Sequence, residues 1–286
     1  MSQDRLTAHR PLTDILDLRL TGDDEFAGPA VADGSRRLYG GHAIAQSIVA
    51  ATETVSGEPL RSVRIDFLRP GLEEHEVEYR VARLLTGRRL ASRRVDGFQD
   101  RKLLFTATVL FGNAEPTGAV TLPVEEPMSA VPPIPPLSAV EQHRVRGVEV
   151  PAQAIPRYVR TGMRFVDDPP RVAAGTGRTP ERSRGYCDLR GIEPRLATAA
   201  LGYASDLSML DPLAYHASLI WQESAVPATL MHSMVVHRPG LVGDWLLFDR
   251  ELVSAFDGTV YVVAGVYTTS GVRVATLTQS ALVLEP

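Results

Sequence analysis

The sequence predicts an α+β protein: two tandem units, each a curved antiparallel sheet wrapped round a central helix. Three observations predict it. The tripeptide Arg-Pro-Gly closes a β-like run twice, at Arg69-Pro70-Gly71 and Arg238-Pro239-Gly240, and 238 − 69 = 169 residues separate the two. A helical segment almost free of charge precedes each turn. Two further β runs, joined by a tight turn, close each half. A shared order of elements reads as an internal duplication.

Taken in order, the first helix is expected over Gly41–Val55, and its near-total lack of charge marks a buried helix. After Phe67-Leu68-Arg69-Pro70-Gly71, Val77, Tyr79 and Val81 alternate with Glu76, Glu78 and Arg80, the pattern of a half-buried strand. Runs Leu90–Phe98 and Leu103–Phe111 follow, turning at Gln99-Asp100-Arg101. Nine prolines between Pro116 and Pro156 then interrupt any continuous sheet or helix. That stretch reads as an ordered or semi-rigid linker. The second helix is expected over Pro194–Leu210, with no charge between Arg195 and Asp206. Strands are expected up to Val236, then over Trp245–Val253, Thr259–Thr268 and Val272–Leu284, the last two turning at Thr269-Ser270-Gly271. About five strands per half result. The expected division is 1–115 for the first unit, 116–156 for the linker and 157–286 for the second unit.

Composition bounds the function. The 286 residues are 44% apolar and 22% charged, which excludes collagen, coiled coil and wholesale disorder. No uncharged apolar run approaches the roughly 18–20 residues of a membrane span. The first ten residues are polar, so no signal peptide is expected. The single cysteine, Cys187, excludes an internal disulfide and a cysteine-cluster metal site, and fits a reduced, cytoplasmic protein. A net charge of −4 gives no pull toward nucleic acid or an anionic membrane. Lys102 is the only lysine among 30 basic residues, leaving 30 − 1 = 29 arginines, side chains suited to gripping phosphate. G-x-S-x-G, Walker, G-x-G-x-x-G and H-E-x-x-H patterns are all absent.

Asp206 is the most informative residue. At helical spacing it shares a face with Ala199, Gly202, Tyr203 and Leu210. A carboxylate on such a face is paired, is used, or marks a helix end reaching water. Burial would tune it toward general-base duty. Gln279 interrupts the otherwise apolar face Ala275, Leu277, Ala281, Val283, so its amide needs partners or an edge-strand position. Thr229 begins the strand leading to Arg238 and is unremarkable there by itself. His232 and His237 stand at i and i+5, on opposite strand faces, and cannot share a metal. Each is expected to be a packed or surface histidine, and Cys187 a small core residue.

These residues carry a resemblance to the acyl-CoA thioesterase II family, the double-hot-dog thioesterases. The similar pieces include Leu38-Tyr39-Gly40-Gly41, Phe67-Leu68-Arg69-Pro70-Gly71, and Arg93-Arg94-Val95 with Gln99. In the second half they are Tyr203-Ala204-Ser205-Asp206-Leu207, His232-Ser233-Met234 with His237-Arg238-Pro239, and Thr278-Gln279. Their order holds over nearly the whole chain. The resemblance implies a double hot-dog fold and hydrolysis of fatty acyl-CoA to free fatty acid and CoA. It implies a catalytic trio at Asp206, Thr229 and Gln279, no cofactor beyond the CoA of the substrate, no metal, and a homo-oligomer of double-hot-dog protomers. Gly40 and Gly41 are candidates for the oxyanion or substrate, with a tight turn as their other reading. Met231 stands where relatives often carry a polar or acidic residue. Two alternatives stay open: an acyl-CoA binding module without turnover, and a hot-dog hydratase or dehydratase using the D-x4-H spacing of Asp211 and His216.

Overall fold

A computed structural model describes residues 10–112, 128–176, 182–216 and 227–283. Among these, twelve strands join in one antiparallel sheet. The first half contributes β1 (Arg19–Gly22), β2 (Glu25–Gly28), β3 (Leu60–Phe67), β4 (Val77–Thr86), β5 (Leu90–Gln99) and β6 (Lys102–Gly112). The second contributes β7 (Arg164–Phe165), β8 (Arg182–Asp188), β9 (Ala228–Val236), β10 (Trp245–Phe256), β11 (Thr259–Thr268) and β12 (Arg273–Leu282). Their order, β1-β2-β4-β5-β6-β3-β9-β12-β11-β10-β8-β7, runs outward from a central β3–β9 seam in two equivalent series.

The duplication extends to single residues. β5 and β11 differ by 259 − 90 = 169 at their starts, the spacing of the Arg-Pro-Gly turns. Bulges in β4 and β10 fall at Leu84 and Val253, and 253 − 84 = 169. At the seam Arg64 pairs with Ser233, its own equivalent, since 233 − 64 = 169. Neighbouring pairs Val63–Met234 and Ile65–His232 exchange under the same shift. An approximate twofold axis therefore passes through the Arg64–Ser233 pair.

The strands match the expected runs to within a few residues, because strict alternation over eight or more positions is a strong signal. Six strands per half replace the expected five. β1, β2 and β7 are only four, four and two residues long, too short for alternation to register. The β5–β6 turn narrows to two residues, Asp100 and Arg101, both in the left-handed region (φ 48° and 62°), whose twist suits a tight hairpin.

Seven helices accompany the sheet among the described residues: α1 (Leu12–Ile15), α2 (Gly40–Thr52), α3 (Ala139–Val145), α4 (Ala154–Arg160), α5 (Pro170–Thr176), α6 (Ala197–Ser205) and α7 (Asp211–His216). α2 buries every residue from Gly41 to Ala51, as its lack of charge requires. Arg93 closes its C-terminal end. The guanidinium donates to the Thr54 carbonyl at 2.9 Å and to the Thr54 hydroxyl at 2.7 Å, a cation where the helix dipole favours one. The second helix departs from expectation. A 3₁₀ turn, Pro194–Leu196, leads into α6, which ends at Ser205 and not at Leu210. Ser205 and Asp206 turn their side chains to partners outside the helix, and Ser208 adopts φ 61°.

α2 and α6 lie against each other inside the curved sheet. Contact is close because a glycine stands where the other helix presents isoleucines: a Cβ on Gly202 would sit 2.7 Å from Ile48 Cδ1 and 3.1 Å from Ile44 Cγ2. A Cβ on Gly41 would run into the Tyr203 carbonyl oxygen. The described part of the Pro-rich stretch packs on the second half. Met128, Val131 and Ile134 cover Tyr186, Trp245 and Leu247, and the Tyr186 hydroxyl donates to the Pro132 carbonyl at 2.6 Å. Beyond it, Arg160 of α4 forks onto Asp33 through two 2.8 Å hydrogen bonds, both side chains nearly buried, and so ties the halves together. No helix among the described residues is long and apolar enough to cross a membrane.

Gly202→Val tests the helix contact. Overpacking against Ile44 and Ile48 is expected to cost about 1–3 kcal/mol, read from urea unfolding midpoints. An unchanged midpoint would show that the helices are free to separate.

Candidate active site

The site grows from the crossing of the two helices. Tyr39 precedes α2 in extended conformation, and Gly40 and Gly41 open its first turn. The loop before it is held by Glu73. Its carboxylate accepts from the backbone N–H groups of Asp33, Gly34 and Arg36 at 2.8–2.9 Å and from the Ser35 hydroxyl at 3.0 Å. Burial alone would push this carboxyl up. The hydrogen bonds from Arg36, Asp33 and Ser35 outweigh burial and hold it below its usual range. The Tyr39 hydroxyl donates to the Tyr203 carbonyl at 3.0 Å, fastening the start of α2 to α6. Burial, reinforced by the charge of Asp206, pushes that phenol up and keeps its proton in place.

Asp206 caps the C-terminal end of α6, an unfavourable place for a negative charge by itself. Its carboxylate crosses to the other helix instead. Gly41 N–H donates to Asp206 Oδ2 at 3.0 Å, at the electropositive N-terminus of α2. The side chain is half-buried, so the expected choice between pairing and reaching water resolves into both. Glycine is required beside it: a Cβ on Gly40 would stand 2.8 Å from Asp206 Oδ2.

Gln279 projects from β12 into the interior and is fully buried. Its amide nitrogen donates to Thr229 Oγ1 at 3.0 Å, so two of the sequence-nominated residues are in direct contact. Its oxygen lies 2.8 Å from His232 Nδ1, and His232 Nε2 lies 2.9 Å from Ser205 Oγ. Ser205, His232, Gln279 and Thr229 thus form one chain of hydrogen bonds, beginning at the residue next to Asp206. His232 was expected only as a packed or surface histidine. Its signal is cross-strand, since His232 pairs directly with Gln279, and pairing is not readable along one strand. Burial holds its imidazole below the ordinary range, opposed by the charge of Asp206 and the contact with Gln279. His237, on the opposite strand face, is exposed as expected.

Thr229 and Gly40 line one cavity of about 580 Å³. Its wall is apolar at Leu38, Phe67, Leu104 and Phe105, and Arg37, Arg69 and Arg157 stand around it. Arg157 is engaged already, 3.6 Å from Asp33 and over the Tyr39 ring. Arg37 and Arg69 are exposed. A second cavity, of about 910 Å³, lies where α2 ends and α6 begins, beside Glu53, Glu193 and Arg195. The strand positions equivalent to Thr229 and Gln279 in the first half are apolar: Leu60, since 229 − 169 = 60, and Val109, which pairs with Val63 as Gln279 pairs with His232.

Cys187 is buried in the core, and burial pushes its thiol up to about 11, as befits an inert packing residue. Asp211 lines neither cavity. It is half-buried with its carboxyl enclosed near Arg250, and that enclosure pushes the carboxyl up to about 6, with Arg250 opposing. The side chain of His216 lies outside the described residues. Among those described, no group of three or more His, Cys, Asp or Glu side chains is placed to hold a metal.

The helix-in-sheet pair with one carboxylate between the helices defines a class, the double hot-dog proteins. Similarity to known proteins carries it further. The family model of the acyl-CoA thioesterase N-terminal domain matches residues 29–112, and that of the C-terminal domain matches 131–283. The chain belongs to the acyl-CoA thioesterase family. It is 26% identical to acyl-coenzyme A thioesterase 8 of Mus musculus over 95% of this chain and 88% of that one. It is 27% identical to acyl-CoA thioesterase 2 of Haemophilus influenzae, over 95% of this chain and 96% of that one. The crystal structure of an acyl-CoA thioesterase II, TesB2, from Mycobacterium marinum superposes with a TM-score of 0.74 at 24% identity, covering 96% and 97% of the two chains. A hot-dog-fold protein from Alicyclobacillus acidocaldarius also gives 0.74, at 17% identity and the same coverage.

Asp211 offers a test by pH. Its folded pKa lies above the ordinary carboxylate value, so the native state holds the proton more tightly. The stabilisation is present below about pH 4 and is lost as pH rises through about 6. Asp211→Asn is expected to remove that slope, raising the urea midpoint at pH 8 relative to wild type more than at pH 4. Equal shifts at both would show that Asp211 titrates normally.

Proposed function

We propose that this acyl-CoA thioesterase hydrolyses its substrate with a water activated by Asp206 and positioned by Thr229 and Gln279. One observation carries the reading. The Asp206 carboxylate is docked by one oxygen on Gly41 N–H and lies against Gly40, which lines the same cavity as Thr229, with Gln279 behind Thr229. One carboxylate oxygen is thereby fixed and the other is left for a water. Asp206 removes a proton from that water as its oxygen attacks the thioester carbonyl carbon. The tetrahedral oxyanion then collapses, the C–S bond breaks, and the CoA thiolate takes the proton back from Asp206. Gly41 N–H is committed to the base, so we assign the oxyanion to Gly40 N–H, the preceding group on the same helix N-terminus.

The apolar wall of Leu38, Phe67, Leu104 and Phe105 suits an acyl chain. Arg37 and Arg69 come from separate segments to the cavity edge and are the arginines assigned to the CoA phosphates. No metal or added cofactor enters these steps.

Asp206→Asn keeps the shape and the hydrogen bond to Gly41 but removes the base. Its kcat for thiol release from acyl-CoA is expected to fall by about 10²–10⁴-fold. Thiol release that survives the change would sink the mechanism, and a wild-type protein that binds acyl-CoA without releasing thiol would favour a binding module. Arg37→Ala and Arg69→Ala are each expected to raise KM for acyl-CoA by about three- to tenfold with kcat retained. The same KM for acyl-CoA and for an acyl thioester without phosphates would remove the phosphate assignment.

A further inference from the structure

We propose that His232, backed by Ser205, is a positioning residue for the hydrolysis: its imidazole sets the orientation of the Gln279 amide and, through it, the proton of Thr229. The proposal rests on the catalytic reading above and deepens it. Of the hydrogen-bonded chain only Thr229 lines the cavity, so His232 acts through Gln279 and Thr229 and not on the substrate.

The direction of each hydrogen bond follows from the number of protons available. His232 is buried and neutral near pH 7, so one ring nitrogen donates and the other accepts. Gln279 Oε1 is an acceptor only and lies 2.8 Å from Nδ1, so Nδ1 carries the proton. Nε2 is then bare and accepts the Ser205 hydroxyl at 2.9 Å. Ser205 Oγ also donates to the Gly202 carbonyl at 2.8 Å, so its one proton is shared between that oxygen and the bare nitrogen. With its oxygen held by His232, the Gln279 amide must present its nitrogen to Thr229, which it does at 3.0 Å. Thr229 Oγ1 is therefore an acceptor toward Gln279 and keeps its own O–H for the water. The four groups donate in one direction, from Ser205 toward the cavity.

The opposite imidazole tautomer reverses this order. Two bare acceptors, Nδ1 and Oε1, would then face each other inside the core. The amide would have to turn over, and the Thr229 proton would be consumed by Gln279. His232 thus decides whether Thr229 meets the water as donor or acceptor. Its equivalent in the first half is Val63 (232 − 169 = 63), with Leu60 and Val109 in place of the residues it serves. The polar chain belongs to the half that carries the trio.

Three measurements test this. In ¹⁵N-histidine-labelled wild-type protein at neutral pH, His232 should show the Nδ1–H tautomer, and an Nε2–H signature would overturn the proposal. Among variants, His232→Asn places an amide nitrogen near the Nδ1 position, whereas His232→Gln reaches the Nε2 position. We expect His232→Asn to keep kcat within about fivefold and His232→Gln to lose on the order of 10²-fold, both with KM within about twofold. Equal losses, or the larger loss in His232→Asn, would indicate a merely structural histidine and overturn it. Added to Gln279→Ala, His232→Gln should cost no more than about a further twofold, because it acts through that amide, and independent multiplication of the two losses would also overturn it. Gln279→Ala with wild-type kcat would instead remove the catalytic reading, and this proposal with it. An impaired Gln279→Ala beside unimpaired His232 variants would remove the proposal alone.

Discussion

The close crossing of α2 and α6 is the constraint on which everything else depends. Two helices without charged faces cannot lie on a surface, so each half of the sheet must curl round one. Because Gly41 and Gly202 carry no side chain, the backbones approach until the end of one helix meets the beginning of the other. That meeting places Asp206 against a helix N-terminus. A negative charge that would be disfavoured at the end of its own helix is stabilised by the dipole of the next. Packing and electrostatics therefore have the same origin. A bulkier contact would move the carboxylate as well as loosen the core.

Around this crossing the remaining polar groups act as braces. Glu73 gathers the N–H groups of the loop that leads into α2, Arg93 closes the far end of that helix, and Tyr39 and Arg160 bind the start of α2 and its loop across to the second half. Each of these three buried charges, Glu73, Arg93 and Arg160, meets a partner in fixed geometry, which limits the cost of its burial. Several residues that mark the family in the sequence, Arg93 and Gln99 among them, turn out to be braces of this kind. Gln99 holds Leu72, next to the Arg-Pro-Gly turn, through paired 2.8 Å bonds to its N–H and carbonyl.

Much of this was legible along the chain. Long alternating runs located β4–β6 and β10–β12 closely, and the missing charges located both buried helices. Asp206 and Gln279 drew attention as polar residues on apolar faces, which is a local property. What could not be read was anything that depends on which strands are neighbours. His232 lies beside Gln279 only because β9 pairs with β12, and Ser205 reaches it only because α6 stops early. Propensity favoured continuing that helix to Leu210, and side-chain hydrogen bonds outside it prevailed. The shortest strands escaped because two to four residues carry too little pattern.

The seam between β3 and β9 has a mechanical consequence. Its paired residues, centred on Arg64 and Ser233, weld the two halves into a single sheet, and Thr229 and Gln279 of the proposed trio stand on β9 and β12 beside that weld. A cleft between two hinged lobes opens by rotation; here rotation would tear ladder bonds in the middle of the sheet. The two proposed water-positioning side chains are accordingly held on a stiff chassis. Any give needed to admit a long substrate falls to the segments at the cavity edge, such as the Glu73-held loop and the stretch after Phe67, and not to relative motion of the two copies.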